Sequence, residues 1–218
     1  MTMEDVFQKI ATSLYEGEDK EVAGLVQQAL DNGIPPQEIL SAGLIVGMDR
    51  VGKDFKTGVL FVPEVLRTAR AMNAGMGVLR PLLVQSGSGF SSDKCLIGTV
   101  KGDLHDIGKN LVKMLLEGSG FEMVDLGTDV SPEAFVAAIR KHQPKLLALS
   151  AMLTTTMVFM KTIIEAVTTA GLRDSVKVMI GGAPVTADFA AQIGADAYAP
   201  DAASAVDVAR TLVGLGKK

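Results

Sequence analysis

Between Gly102 and Asn110 the chain reads Gly-Asp-Leu-His-Asp-Ile-Gly-Lys-Asn, which sets one imidazole, His105, between the carboxylates of Asp103 and Asp106. A neutral imidazole is a good metal ligand through one ring nitrogen when the other donates its proton to an acceptor, and Asp103 is placed to be that acceptor. The same stretch approaches a phosphate-binding loop without being one. That loop reads G-x-x-x-x-G-K-[ST]. Here Gly102 and Gly108 stand one residue too far apart, Asn110 follows Lys109 where a hydroxyl is needed, and Asp103 and Asp106 would repel a phosphate. A closed zinc site is excluded too, because the chain has one cysteine, Cys95, and its only other histidine, His142, falls at the end of a separate helix. A single protein ligand suits a metal whose other positions are already filled by a macrocycle. Ile107 and Gly108 open the next helix, where a side chain at 108 would obstruct a bulky group.

From Lys94 to the end, apolar strands alternate with amphipathic helices. The strands are KCLIGTV, FEMVDLG, KLLALSA, SVKVMIGG and ADAYA; the helices begin at IGKN, SPEA, TTTM, PVTA and DAAS. Five such repeats predict a flavodoxin-like (Rossmann-like) five-stranded parallel sheet with helices on both faces. With strand order 2-1-3-4-5, ligands sit at the carboxyl ends of the strands, where the order reverses. Those ends carry Gly102, Asp103 and His105, then Ser150, Met152 and Thr154, then Gly181 and Gly182, and finally Tyr198 and Asp201. Ser150 and Thr154 offer hydroxyls, and the paired glycines allow close backbone approach.

Residues 1–84 read as helices alone. Val6, Ile10 and Leu14 form a one-sided stripe ending at Gly17, a second helix stops at Asn32-Gly33, Pro35-Pro36 open a third, and a long fourth runs through residues 60–83. A four-helix bundle is predicted, joined by the Gly/Ser-rich linker 85–93 to the α/β domain of residues 94–218. The 218 residues are 48% hydrophobic and 21% charged, which is ordinary for a globular chain. A net charge of −4 argues against a nucleic-acid partner. No apolar run reaches membrane-spanning length, about 18 residues. The start, MTMEDVFQKI, is charged where a leader would be apolar, so a cytoplasmic protein with no membrane partner is expected.

DLHDIG, then SAML, then GGA, resemble the corrinoid-binding signature Asp-x-His-x-x-Gly, Ser-x-Leu, Gly-Gly, with Met152 in place of the signature leucine, a volume-conserving exchange. With the helical module in front, the resemblance covers nearly the whole chain. It is to the corrinoid proteins of three-component methyltransferase systems and, more distantly, to the cobalamin module of methionine synthase. The resemblance implies a cobalamin whose own base is displaced, with His105 as lower cobalt ligand and Asp103 orienting it. The nucleotide tail would pass Ser150, Thr154 and Gly181-Gly182, with Tyr198 near its far end. It also implies a carrier that alternates between methyl-Co(III) and nucleophilic Co(I). A substrate-specific methyltransferase would load it, a second transferase acting on tetrahydrofolate or a thiol would unload it, and a reductive activase would restore it. Methanol, methylamine, betaine and aryl methyl ether systems all use such proteins, with an O-demethylase or quaternary-amine system favoured here.

Simpler roles compete at several positions. Asp106 sits where N-capping explains it, Ser150 and the glycine pair are common strand-end features, and Cys95 reads as a small buried hydrophobe. Met48, Met72 and Met76 are bundle core or a cap over the corrin face, and Phe61, Pro63 and Glu64 raise the same alternative. Rival functions are the cobalamin-binding subunit of a carbon-skeleton mutase, a cobalamin-dependent sensor, and an NTPase, which would need the phosphate loop this chain lacks.

Overall fold

The computed structural model describes residues 2–85 and 93–214. The chain divides into two compact units, Met1–Ser92 with Gly118–Gly120, and Asp93–Glu117 with Phe121–Lys218. Most of the expected linker, residues 86–92, lies outside the described residues.

The first unit is helical throughout: α1 (Met3–Glu16), α2 (Asp19–Asp31), α3 (Pro36–Glu38) continuing through a π-helical stretch (Ile39–Leu44) into α4 (Ile45–Lys56), and α5 (Val62–Gln85). Thr2 and Asp5 exchange side-chain and backbone hydrogen bonds at the start of α1, and Gly17 ends it in the left-handed conformation at φ 74°. Val6, Ile10 and Leu14 are buried, as their spacing predicts. The third predicted helix differs from expectation in one respect. Its second quarter widens, so that Ile45 N–H bonds to the carbonyl of Leu40, five residues back.

The second unit is a doubly wound α/β fold. Its elements are β1 (Lys94–Thr99), α6 (Ile107–Gly118), β2 (Glu122–Asp125), α7 (Pro132–His142), β3 (Leu146–Ser150) and α8 (Thr154–Thr169). A short 3₁₀ turn (Arg173–Ser175) then leads to β4 (Lys177–Gly181), α9 (Ala187–Ile193), β5 (Ala197–Ala199) and α10 (Ala202–Leu212). All strands are parallel, in the order β2-β1-β3-β4-β5 predicted from sequence. Leu96, Leu147, Leu149, Val178 and Ile180 pack with Phe135, Met160 and Ile163 in one core cluster. Register decides what matters most for function: Thr99 pairs with Ser150, Ser150 with Gly181 and Gly181 with Ala199. Four strands therefore end level, and the loops that follow leave the sheet along one edge. Among the described residues no helix is long and apolar enough to cross a membrane.

Candidate functional site

After Thr99 the chain leaves β1, turns through residues 100–106 and enters α6, so His105 stands on the loop at the switch point between β1 and β3. Its orientation is fixed from three directions. The ring Nδ1 lies 2.7 Å from Asp103 Oδ1, the His105 N–H donates to the same oxygen at 3.1 Å, and the His105 carbonyl accepts from Thr99 Oγ1 at 2.9 Å. Asp103 Oδ2 accepts from Met152 N–H at 2.8 Å and from Thr156 Oγ1 at 2.6 Å. Asp103 is fully buried. Burial alone pushes its carboxyl up, but the donors of Thr156, Met152 and His105 outweigh that and hold it well below the usual carboxylate range. An ionised Asp103 can only accept, so Nδ1 carries a proton and donates it to Asp103 Oδ1; in the neutral imidazole that leaves the lone pair on Nε2. The His105 side chain is 55% exposed.

Exposed apolar side chains flank the imidazole. Leu104 is 74% exposed and Ile107 79%, and Met152 and Leu153 are also exposed. An exposed apolar cluster of this kind suits a surface that meets an apolar ligand or a partner. Gly108 adds a second feature. It lies in the first turn of α6, where glycine weakens a helix, yet a Cβ there would meet nothing within 4 Å. Neither packing nor backbone conformation within the chain explains this glycine. Gly24, Gly52 and Gly77 stand in helices with the same open surroundings, so the space at Gly108 permits a bulky group without requiring one.

The remaining residues singled out from sequence divide. Gly102 (φ 78°) donates its N–H to Asp129 Oδ1 at 2.7 Å, and Met152 contributes its backbone N–H to Asp103 rather than its side chain. Ser150 and Thr154 lie at the same edge, the first half-buried at the end of β3 and the second exposed at the start of α8. Asp106 precedes α6; its carbonyl accepts from Asn110 N–H at 2.7 Å and its carboxylate from the Asn110 amide at 3.1 Å, so the helix start accounts for it. The glycine pair answers first to the protein: at Gly182, with φ 129°, a Cβ would lie 1.8 Å from the Ala151 carbonyl oxygen, and at Gly181 3.1 Å from that of Ala199. Asp201 caps α10, accepting from Ser204 N–H at 2.7 Å and Ser204 Oγ at 3.0 Å, and Tyr198 packs against the sheet core. Lys109, the lysine a phosphate loop would aim at its ligand, is buried and bonded to Asp125 at 2.8 Å through both carboxylate oxygens. Burial pushes Asp125 up, but Lys109, the Gly127 N–H and Lys113 hold it lowered. Cys95 is buried, which pushes its thiol up. Met48 and Met72 are buried and Met76 half-buried, whereas Phe61 is exposed and donates its N–H to Glu64 Oε2 at 3.0 Å.

Sequence reasoning missed Thr156, which completes the chain Thr156–Asp103–His105. A signal existed. Thr156, Met160, Ile163, Ile164 and Val167 form the buried stripe of α8, so of the three consecutive threonines only Thr156 had to face inward. Thr99 and Asp129 were missed with no comparable signal. Among the described residues no three His, Cys, Asp or Glu side chains gather into a metal-holding set. A metal at His105 must therefore bring its other ligands with it.

Fold and site together define a doubly wound α/β protein with one oriented histidine, beside exposed apolar side chains, at the sheet's switch point. Comparison with known proteins gives that class its family. Residues 93–207 match the B12 binding domain family, and residues 6–80 match a second family also described as a B12 binding domain. The chain is 41% identical to trimethylamine corrinoid protein 1 of Methanosarcina acetivorans, over 96% of this chain and 98% of that one. It is 39% identical to the dimethylamine corrinoid protein of Methanosarcina barkeri, over 98% and 100%. A chain of the methanol:cobalamin methyltransferase complex of Methanosarcina barkeri superposes with a TM-score of 0.84 at 31% identity, covering 98% of this chain and 81% of that one. The chain belongs to the B12-binding family of corrinoid proteins of methyltransferase systems.

Proposed function

We propose that this chain is a methyl carrier that holds cobalamin at the carboxyl edge of its sheet, with the cofactor's own base displaced and His105 Nε2 as the lower cobalt ligand. When bound, the cofactor supplies a cobalt centre that accepts a methyl group and gives it up. The residues of this chain do the rest. Asp103 holds the imidazole in the tautomer that leaves Nε2 free, and Thr156 and Met152 N–H keep Asp103 ionised and fixed. Leu104, Ile107 and Met152 offer an apolar rim, and Gly108 leaves space for the macrocycle. Ser150 and Thr154 supply hydroxyls toward the displaced tail. The observation that carries this reading is the buried Asp103 network that fixes one imidazole beside exposed apolar side chains.

A carrier needs one methyltransferase to load it and another to unload it, and neither activity is asked of this chain. The relatives' names, trimethylamine and dimethylamine corrinoid proteins, support a methylamine as the original donor, ahead of the aryl methyl ether or quaternary amine that the sequence reading favoured. Tetrahydrofolate or a thiol is the proposed final acceptor, with a reductive activase as third partner.

Titration with hydroxocobalamin, followed by ultraviolet–visible absorption, tests the proposal on the intact chain and on His105→Ala. Saturable binding by the intact chain, with an axial-ligand spectrum that changes in His105→Ala, is the expected result. An unchanged spectrum in the variant removes His105 as ligand. No binding by the intact chain removes cobalamin altogether.

A further inference from the structure

The loop carrying His105 and the first turn of α6 that follows it are held by the end of β2 and the turn after it. At its entry, Gly102 N–H donates to Asp129 Oδ1 at 2.7 Å, and Asp129 N–H donates to the Asp103 carbonyl at 3.0 Å. At its exit, Lys109 Nζ donates to both oxygens of Asp125 and to Asn110 Oδ1, each at 2.8 Å, and Asp125 Oδ1 also accepts from Gly127 N–H at 2.9 Å. The two anchors differ in kind. Lys109 is 3% exposed, and a buried ammonium persists only when it is paired. Asp129 is exposed and sits at φ 55°, in the left-handed region that a non-glycine residue enters at a cost. Water can replace the exposed Gly102–Asp129 bond with little loss of stability, so a strained residue kept there does more to direct the loop than to stabilise it.

We infer that Asp129 and the Lys109–Asp125 pair are positioning residues for His105: they clamp the entry of its loop and the first turn of α6 just beyond its exit, and so set the direction in which the ring is presented. This rests on the reading of His105 as the cobalt ligand. It goes beyond Asp103, which acts on the ring itself, because the clamp acts on the backbone that bears the ring.

Three variants of the full chain test it. Asp129→Gly removes the carboxylate while accepting the positive φ, Asp129→Asn keeps both an acceptor and tolerance of that φ, and Lys109→Met keeps the buried stem without the charge. Without cofactor, amide hydrogen exchange at His105 and the NMR signals of its ring nitrogens report the clamp directly. Faster exchange and altered ring signals are expected in Asp129→Gly and Lys109→Met, with circular dichroism unchanged and Asp129→Asn close to wild type. Titrated with hydroxocobalamin, the two impaired variants are expected to bind roughly tenfold or more weakly, as supporting residues of metal ligands commonly do. Their spectra should move toward that of His105→Ala. Wild-type exchange, ring signals and binding in both variants would overturn the inference, and so would an Asp129→Asn variant as impaired as Asp129→Gly. If Lys109→Met fails to fold, the Asp129 pair decides. If the wild-type chain binds no hydroxocobalamin, the cofactor reading falls while the exchange data still decide the clamp.

Discussion

Asp103 accepts four hydrogen bonds through two oxygens, from His105 N–H and Nδ1 on one and from Met152 N–H and Thr156 Oγ1 on the other. Asparagine in its place turns an amide NH₂ toward one of these donor pairs, so at least one pair loses its acceptor. Hydrogen bonds to a charged group contribute about 1.5–3 kcal/mol each, and Asp103→Asn is expected to destabilise the chain by about 3 kcal/mol in urea unfolding. The sign of the pH effect follows from the lowered carboxyl. A group held below its unfolded value adds stability at any pH above that value and withdraws it as the pH falls toward the folded one. Stability is therefore expected to drop as the pH passes below about 4, more steeply in wild type than in Asp103→Asn. Equal slopes in the two proteins would show that Asp103 is not the group responsible. At this scale the sequence made Asp103 and His105 legible, because two residues apart in one loop is a local relation. Thr156 lies 53 residues away, and only the packing of α8 brings it to Asp103.

Gly108, in the first turn of α6, and Gly182, after β4, differ in what surrounds them. Gly182 closes the turn after β4 against the Ala151 carbonyl, so Gly182→Ala is expected to cost at least about 3 kcal/mol through backbone strain and displacement. Gly108 faces open space within α6, so Gly108→Ala is expected to raise the stability of the cofactor-free chain by about 0.5–1 kcal/mol. The same substitution is expected to weaken hydroxocobalamin binding. Urea midpoints with and without the cofactor measure both effects, and a Gly108→Ala chain that binds as tightly as wild type would show that no ligand occupies that space. Read from sequence, the two glycines had looked alike, both as room for a ligand. The difference lies in β3, whose end happens to pass under residue 182 and not under 108.

For the whole molecule, the carrier proposal leaves activation of the methyl donor to a separate methyltransferase. Asp103, Thr156 and Thr99 hold His105 in one orientation, with Leu104, Ile107 and Met152 exposed nearby. Purified protein loaded with cobalamin is accordingly expected to show no turnover of trimethylamine or dimethylamine until a donor-specific methyltransferase is added. Demethylation by the chain alone, followed by product analysis, would contradict the carrier role. The helical unit and the α/β unit each follow the periodicity of their own sequence, 3.6 residues in the first half and alternating strand and helix in the second. That is why both were legible, while the π-helical widening at Ile39–Leu44 left no mark in the spacing.

Sequence alone determined the element order, the parallel sheet with its 2-1-3-4-5 order, and the histidine with its aspartate, because these depend on local periodicity, connection handedness and neighbours in one loop. Tertiary structure decided which hydroxyl reaches Asp103, which glycine has open space beside it, and which residues bond to the His105 loop and the helix after it. Lys109 and Asp125 are 16 residues apart, on α6 and β2, and Gly102 and Asp129 are 27 apart, with all of α6 and β2 between them. Pairs so separated meet only when parallel pairing of β1 with β2 brings the loops after them to the same edge of the sheet.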